Sequence, residues 1–214
     1  MPVVDDDPTG QRFPGPRPPA PRALRHYLPP AAAKIRILET ADRLFYDEGI
    51  RSVGVDRLIS ESRVTKATFY KHCGSKDRLV VEYILRRDRL VRTFLSSMEK
   101  EGLDPREILE RLVKAISDEI QRPGFRGCPF ANAAAEYMDA RHAVRLAITE
   151  HRDWYTGALS GLLARLGHPL PGDGADELLL ARDGAMSGGH VGDPIAAATA
   201  FQRVAAKIVP PARD

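Results

Sequence analysis

Cysteine is scarce in this chain: its 214 residues carry two, Cys73 and Cys128, too few for a disulfide framework and in no paired spacing that would hold zinc. No stretch approaches the roughly 20 uncharged apolar residues that a membrane span needs. The N-terminus has Asp5, Asp6 and Asp7 where a signal peptide would carry a basic start and an apolar run. These absences predict a cytoplasmic protein with no membrane partner. Charge of one sign is also in short supply, because a net +3 does not by itself demonstrate a nucleic-acid partner. The six histidines, His26, His72, His142, His151, His168 and His190, show no metal-ligand spacing with acids. No glycine-rich phosphate loop and no nucleophile elbow is visible, so no metal, no cofactor and no catalysis are expected. Strand-like alternation is missing too. What remains is a chain 43% hydrophobic, enough for a buried all-α core.

Residues 1–30 hold nine of the seventeen prolines, with Arg12, Arg17, Arg22 and Arg25 and no apolar period, and are read as a disordered tail. Its arginines suit an arm on DNA, and a solvated leader is the plainer alternative. From Ala31 the pattern turns helical. Ile35, Leu38, Ala41 and Phe45, widened by Ile37 and Leu44, make an apolar stripe that ends at Gly49. Val55, Leu58 and Ile59 predict a short second helix, and Thr65 to His72 a third after a break at Ser62 and Arg63. That arrangement fits a helix-turn-helix in a three-helix domain over residues 31–78.

Beyond it, residues 79–214 predict a helical regulatory and dimerisation domain, for about nine helices in all. A long helix starts at the N-cap Ser75 and runs through Leu79, Tyr83, Leu90 and Phe94 to Lys100; the next opens with Asp104 and Pro105 and carries Ile108, Leu112, Ala115, Ile116 and Ile120. Cys128 and Pro129 start a short one. Val144, Ala147, Ile148, His151, Tyr155, Leu159, Leu162 and Leu166 then hold a helical period. In the last two, Ala175 to Val191 and Pro194 to Val209, small residues such as Gly188, Gly189, Ala196, Ala197, Ala198, Ala200 and Ala205 replace large ones. Such faces suit a homodimer seam through the last two helices, or close packing inside one chain; the paired glycines also offer a bend.

Between Arg63 and Arg78 stand five cations (Arg63, Lys66, Lys71, Lys76, Arg78) against the single acid Asp77, with Phe69 and Tyr70 among them. Thr65 can cap the third helix, whose N-terminal amides then favour a phosphate. Singly, such a lysine is a solvated side chain and such a tyrosine is core; together on one short capped helix they suit a major groove.

The runs Ala41-Asp42-Arg43-Leu44-Phe45, Val55-Asp56-Arg57-Leu58-Ile59, Val64-Thr65-Lys66-Ala67-Thr68-Phe69-Tyr70-Lys71-His72 and Ser75-Lys76-Asp77-Arg78-Leu79 resemble the DNA-binding domain of the TetR family, from Lys34 to Val80 without a gap. The resemblance implies that Thr65, Tyr70 and Lys76 contact phosphates, that Lys66, Thr68, Lys71 and His72 face the groove or the backbone, and that Phe69 packs inward. Arg63 adds charge beside them. Three departures stand out: Ser62-Arg63 for alanine-glycine, Gly54 for a capping threonine or serine, and Cys73 for phenylalanine. Arg126-Gly127-Cys128-Pro129-Phe130, Asn132-Ala133-Ala134-Ala135-Glu136, Glu150-His151 and Asp183-Gly184-Ala185 look like one regulatory-domain subgroup of the family.

The resemblance further implies a repressor that grips a palindromic double-stranded operator as a homodimer and is released by a small-molecule inducer. Pocket candidates are Cys128, Phe130, Asn132, Glu136, Tyr137, Trp154, Tyr155 and Met186, each of which also serves as ordinary core. Cys128 at a helix start is either a reactive sensor or an inert buried thiol. A helical adaptor that binds only protein would leave the cationic cluster from Lys66 to Lys76 without a role.

Overall fold

The computed structural model describes residues 30–211, and the tail read over 1–30 therefore lies, save for Pro30, outside the described residues. Among the described residues there are nine α-helices and no strand: α1 (Pro30–Glu48), α2 (Val55–Glu61), α3 (Lys66–Cys73), α4 (Lys76–Lys100), α5 (Pro105–Ile120), α6 (Pro129–Glu136), α7 (Ala143–Arg165), α8 (Pro171–Val191) and α9 (Pro194–Ile208). None of them is long and apolar enough to cross a membrane.

The helix ends follow local chemistry. Thr65 accepts a hydrogen bond from the Thr68 amide, Ser75 from Arg78, Asp104 from Arg106 and Glu107, and Asp193 from Ile195 and Ala196. Prolines sit in the first turn of α5, α6, α8 and α9, where their missing N–H has no partner to lose. For the same reason α8 opens at Pro171, ahead of the expected Ala175. Gly74, at φ +70°, ends α3 in a conformation open to glycine, and its amide bonds to the Tyr70 carbonyl at 2.9 Å.

The head, α1 to α3, does not have a core of its own. One buried cluster runs from Ile37, Leu44 and Phe45 through Leu58 and Phe69 to Leu79 and Tyr83, and on to Phe130, Val144 and Met186. The 78/79 boundary falls inside α4, whose first turns belong to that cluster. A second cluster, with Leu95, Ile108, Leu112, Tyr155, Leu159, Leu163 and Leu178, fills the far end between α4, α5, α7, α8 and α9.

Three expected core positions are exposed: Ile35 at 50%, Leu90 at 56% and Phe94 at 39%. On α4 the buried stripe passes through Ile84, Asp88, Leu95 and Met98, not through Leu90 and Phe94. A charged residue holds a core place there, so a stripe drawn through apolar residues alone strays to the neighbouring face. On α8 the glycines leave the helix unbroken to Val191. A Cβ at Gly189 would lie 2.4 Å from Ile120 Cγ2, and one at Gly188 would lie 3.8 Å from Ala197 Cβ. Gly188, Gly189, Ala197, Ala198 and Ala205 are thus taken up inside the chain, where α8 meets α5 and α9.

Candidate nucleic-acid interface and adjoining cavity

α3 stands on the surface of the head. Phe69 is fully buried and meets Tyr70 edge-on at 5.5 Å, so it fastens the helix from below. Thr65, Lys66, Ala67, Tyr70 and Lys71 are exposed, with Thr68 and His72 half-buried beside them. The Thr65 and Thr68 hydroxyls bond to each other at 2.8 Å. Lys66 approaches only Asp56, at 4.0 Å, with its side chain 70% exposed, a pair loose enough to yield to a phosphate. Lys76 differs from the rest. It is half-buried among Ile50, Arg51, Asp77 and Glu136, and burial lowers its pKa below the ordinary lysine value.

The turn before α3 is held in an unusual way. Arg63 adopts a left-handed backbone, φ +53°, the one non-glycine residue with positive φ among the described residues. Its carbonyl accepts from Arg36 Nη2 at 3.1 Å, and the buried Ser62 hydroxyl donates to the Leu58 carbonyl at 2.5 Å. Missing glycine at this joint therefore means strain as well as added charge. Cys73 is buried behind the helix, where burial pushes its thiol up to about 11 and keeps it protonated. Across the head, Arg57 bridges Glu48 and Glu61, and Arg43 also reaches Glu61, tying α1 to α2.

The family model for bacterial regulatory proteins, tetR family, matches residues 37–83, the same stretch that builds this surface. A TetR-family transcriptional regulator from Streptomyces coelicolor of known crystal structure is 37% identical, with a TM-score of 0.79 over 84% of this chain and 95% of that one. The chain belongs to the TetR family of transcriptional regulators. It carries that family's DNA-binding helix-turn-helix, with α3 as the second helix of the motif. Two curated relatives from Bacillus subtilis are the HTH-type transcriptional regulators LmrA, 27% identical over 122 residues, and YxaF, 25% over 103 residues. These matches cover 56% and 47% of this chain, and the chain spans 65% and 54% of those relatives' lengths.

In this TetR-family chain a cavity of about 380 Å³ opens between α6, α7 and α8. Of the sequence-predicted pocket residues, Cys128, Phe130 and Tyr155 line it. The others lie elsewhere. Asn132 is exposed and donates to the Arg126 carbonyl at 2.7 Å; Trp154 lines an outer groove between α4 and α7, with the Arg92 guanidinium 4.1 Å from its ring; Met186 is in the core. Glu136 and Tyr137 sit where body meets head. Glu136 accepts from the Ile50 amide at 2.8 Å and the Arg51 amide at 2.6 Å, and its own carbonyl accepts from Arg51 Nη2 at 2.6 Å. Tyr137 donates to Asp77 at 3.2 Å, and burial with that neighbour raises its pKa to about 12. Tyr46 adds a third link, donating to the Gly127 carbonyl and accepting from the Arg126 amide.

Sequence reasoning missed the polar wall of the cavity: Arg145, His151, Arg152, Arg182 and Asp183. His151 stacks on Phe130 at 3.7 Å and lies near-parallel to Tyr155 at 5.9 Å. Burial lowers the His151 pKa, while Arg92 and His151 outweigh burial at Asp88 and lower that carboxyl. Asp88 is thus ionised and neutral His151 bears its proton on Nδ1, 2.8 Å from Asp88 Oδ1. A histidine in a leucine stripe facing an aspartate in another was the available signal. Arg182 left none, since an arginine inside a helix reads as surface.

Proposed function

We propose that this regulator is a repressor that binds a palindromic operator as a homodimer and is released when a small molecule fills the cavity beneath α6. What carries the reading is the double engagement of α6: its first turn walls the cavity through Phe130, and its last residue, Glu136, holds the head through the Ile50 and Arg51 amides. A ligand that displaces α6 acts directly on the mount of α3. The effect is bounded by the ligand's differential affinity for the two head positions; about 3 kcal/mol of coupling changes operator affinity roughly 150-fold.

Two copies of α3 about 34 Å apart fit successive major grooves on one face of DNA. Leu180, Val191, Ile195 and Val204, exposed at 68%, 79%, 65% and 40% on α8 and α9, support a seam there. Thr65 and Tyr70, with Lys76 at the start of α4, are assigned to phosphates; Lys66, Thr68, Lys71 and His72 to the groove or the backbone; Arg63 to the flanking backbone. The test is fluorescence anisotropy on duplex from the promoter beside the coding region, at rising salt. A specific band of affinities that falls steeply with salt is expected. Equal affinity for unrelated duplex, or a stably single-copy protein, overturns the reading.

A further inference from the structure

Of the four ionic side chains that line the cavity, three are cations (Arg145, Arg152, Arg182) and one is an acid (Asp183), an excess of two positive charges. Asp183 is shared, with Arg152 Nη1 at 2.7 Å on one oxygen and Arg182 Nη1 at 2.7 Å on the other. Arg145 uses one donor on the Tyr137 carbonyl at 2.9 Å. The nearby Asp88 offers no relief, because Arg92 and His151 already occupy it. Arg182 is the informative residue. Its side chain is only 13% exposed, yet Nη2 meets just the Cys128 sulfur, at 3.7 Å, a weak acceptor for a charged donor. With Asp183 on Nη1 and only a thiol on Nη2, this largely buried guanidinium keeps donor capacity for a ligand in the cavity. Its Cζ lies 5.6 Å from the Tyr155 ring centroid, and beside it the walls are flat and unsaturated: Phe130, His151 and Tyr155.

We infer that the cavity takes a small organic anion with a flat aromatic body, its charged oxygens received by Arg182 with Arg145 and Arg152 at the rim, and its ring packed on the Phe130, His151 and Tyr155 wall. The volume, about 380 Å³, is at the small end of ligand pockets and suits a bicyclic acid. The neutral state of His151 leaves the arginines as the cavity's positive charge. This names the ligand class for the effector site proposed above and rests on that reading only for the consequence of binding.

Titration calorimetry of the full chain with naphthoate, naphthamide and naphthylmethylammonium tests the class without DNA. Naphthoate is expected to bind with a Kd below about 1 mM, the amide at least about tenfold more weakly, and the ammonium not at all. Arg182→Gln is expected to weaken naphthoate about tenfold or more. Should that variant not fold, Arg152→Gln, at a side chain 51% exposed, is expected to lower affinity severalfold with a shallower salt dependence. Equal binding of all three compounds, no binding of naphthoate, or a folded Arg182→Gln chain that binds it unchanged overturns the inference. Naphthoate that binds in this pattern yet leaves operator affinity untouched upholds the anion site and overturns release through it.

Discussion

Single residues show where the chain departs from the easiest solution. Arg63 sits at φ +53°, a conformation that costs a side chain with a Cβ about 1 kcal/mol and glycine almost nothing. Arg63→Gly removes that strain but gives the unfolded chain more freedom, so a net gain of up to about 1 kcal/mol in chemical denaturation is expected. Operator affinity should fall at the same time, with a salt slope shallower by about one contact. A variant no more stable than its parent shows that Arg36 and Ser62 have already absorbed the strain. His151 makes the second prediction. Its folded pKa lies below the 6.5 of the free side chain, so the unfolded chain binds the proton first as pH falls. Stability from this site is therefore complete above about pH 6.5 and declines as pH drops through the folded value. Calorimetric melting between pH 7.5 and about 5 should show the decline, and His151→Gln should flatten it. The α3 surface was legible in the sequence because it is local: cap, cations and aromatics lie within one short segment. The cavity was not, because Asp88, His151 and Arg182 come from three helices and each breaks the rule that core positions are apolar.

At the scale of the element, the ends were easier to read than the faces. Thr65, Ser75 and Asp104 cap by hydrogen bonds to amides two or three residues on, a purely local effect, and all three act in the structure as their positions predict. Faces depend on partners, as Leu90 and Phe94 on α4 demonstrate. The small residues of α8 divide the same way. At Gly189 an added Cβ would overlap Ile120, so Gly189→Ala is expected to cost about 1–3 kcal/mol through displaced α5 and α9 packing. At Gly184, where a Cβ meets nothing within 4 Å, alanine is expected to add about 1 kcal/mol of helix stability to the single chain. Urea denaturation at low and high protein concentration separates the two. If Gly184→Ala instead destabilises, and does so more at high concentration, that turn of α8 packs against a second copy.

For the whole molecule, the proposed release depends on how the cavity between α6, α7 and α8 is joined to α3 in the head. One continuous buried cluster joins them, so the head is not packed as a separate domain, and its position depends on the contacts at its base. Glu136 supplies two of these through charge-assisted bonds to backbone amides, each stronger than a neutral pair. Glu136→Gln keeps the volume but turns an N–H donor toward an amide that also donates. Faster hydrogen exchange at the Ile50 and Arg51 amides is expected, with operator affinity about tenfold lower as the loosened head visits positions unsuited to DNA. Lys66→Ala is the matching control, since it weakens DNA binding at the surface of α3 and should leave exchange at those amides unchanged. If Glu136→Gln alters neither exchange nor affinity, the link between body and head runs instead through Tyr46 and Tyr137, and the effector's route to α3 does not pass through the end of α6.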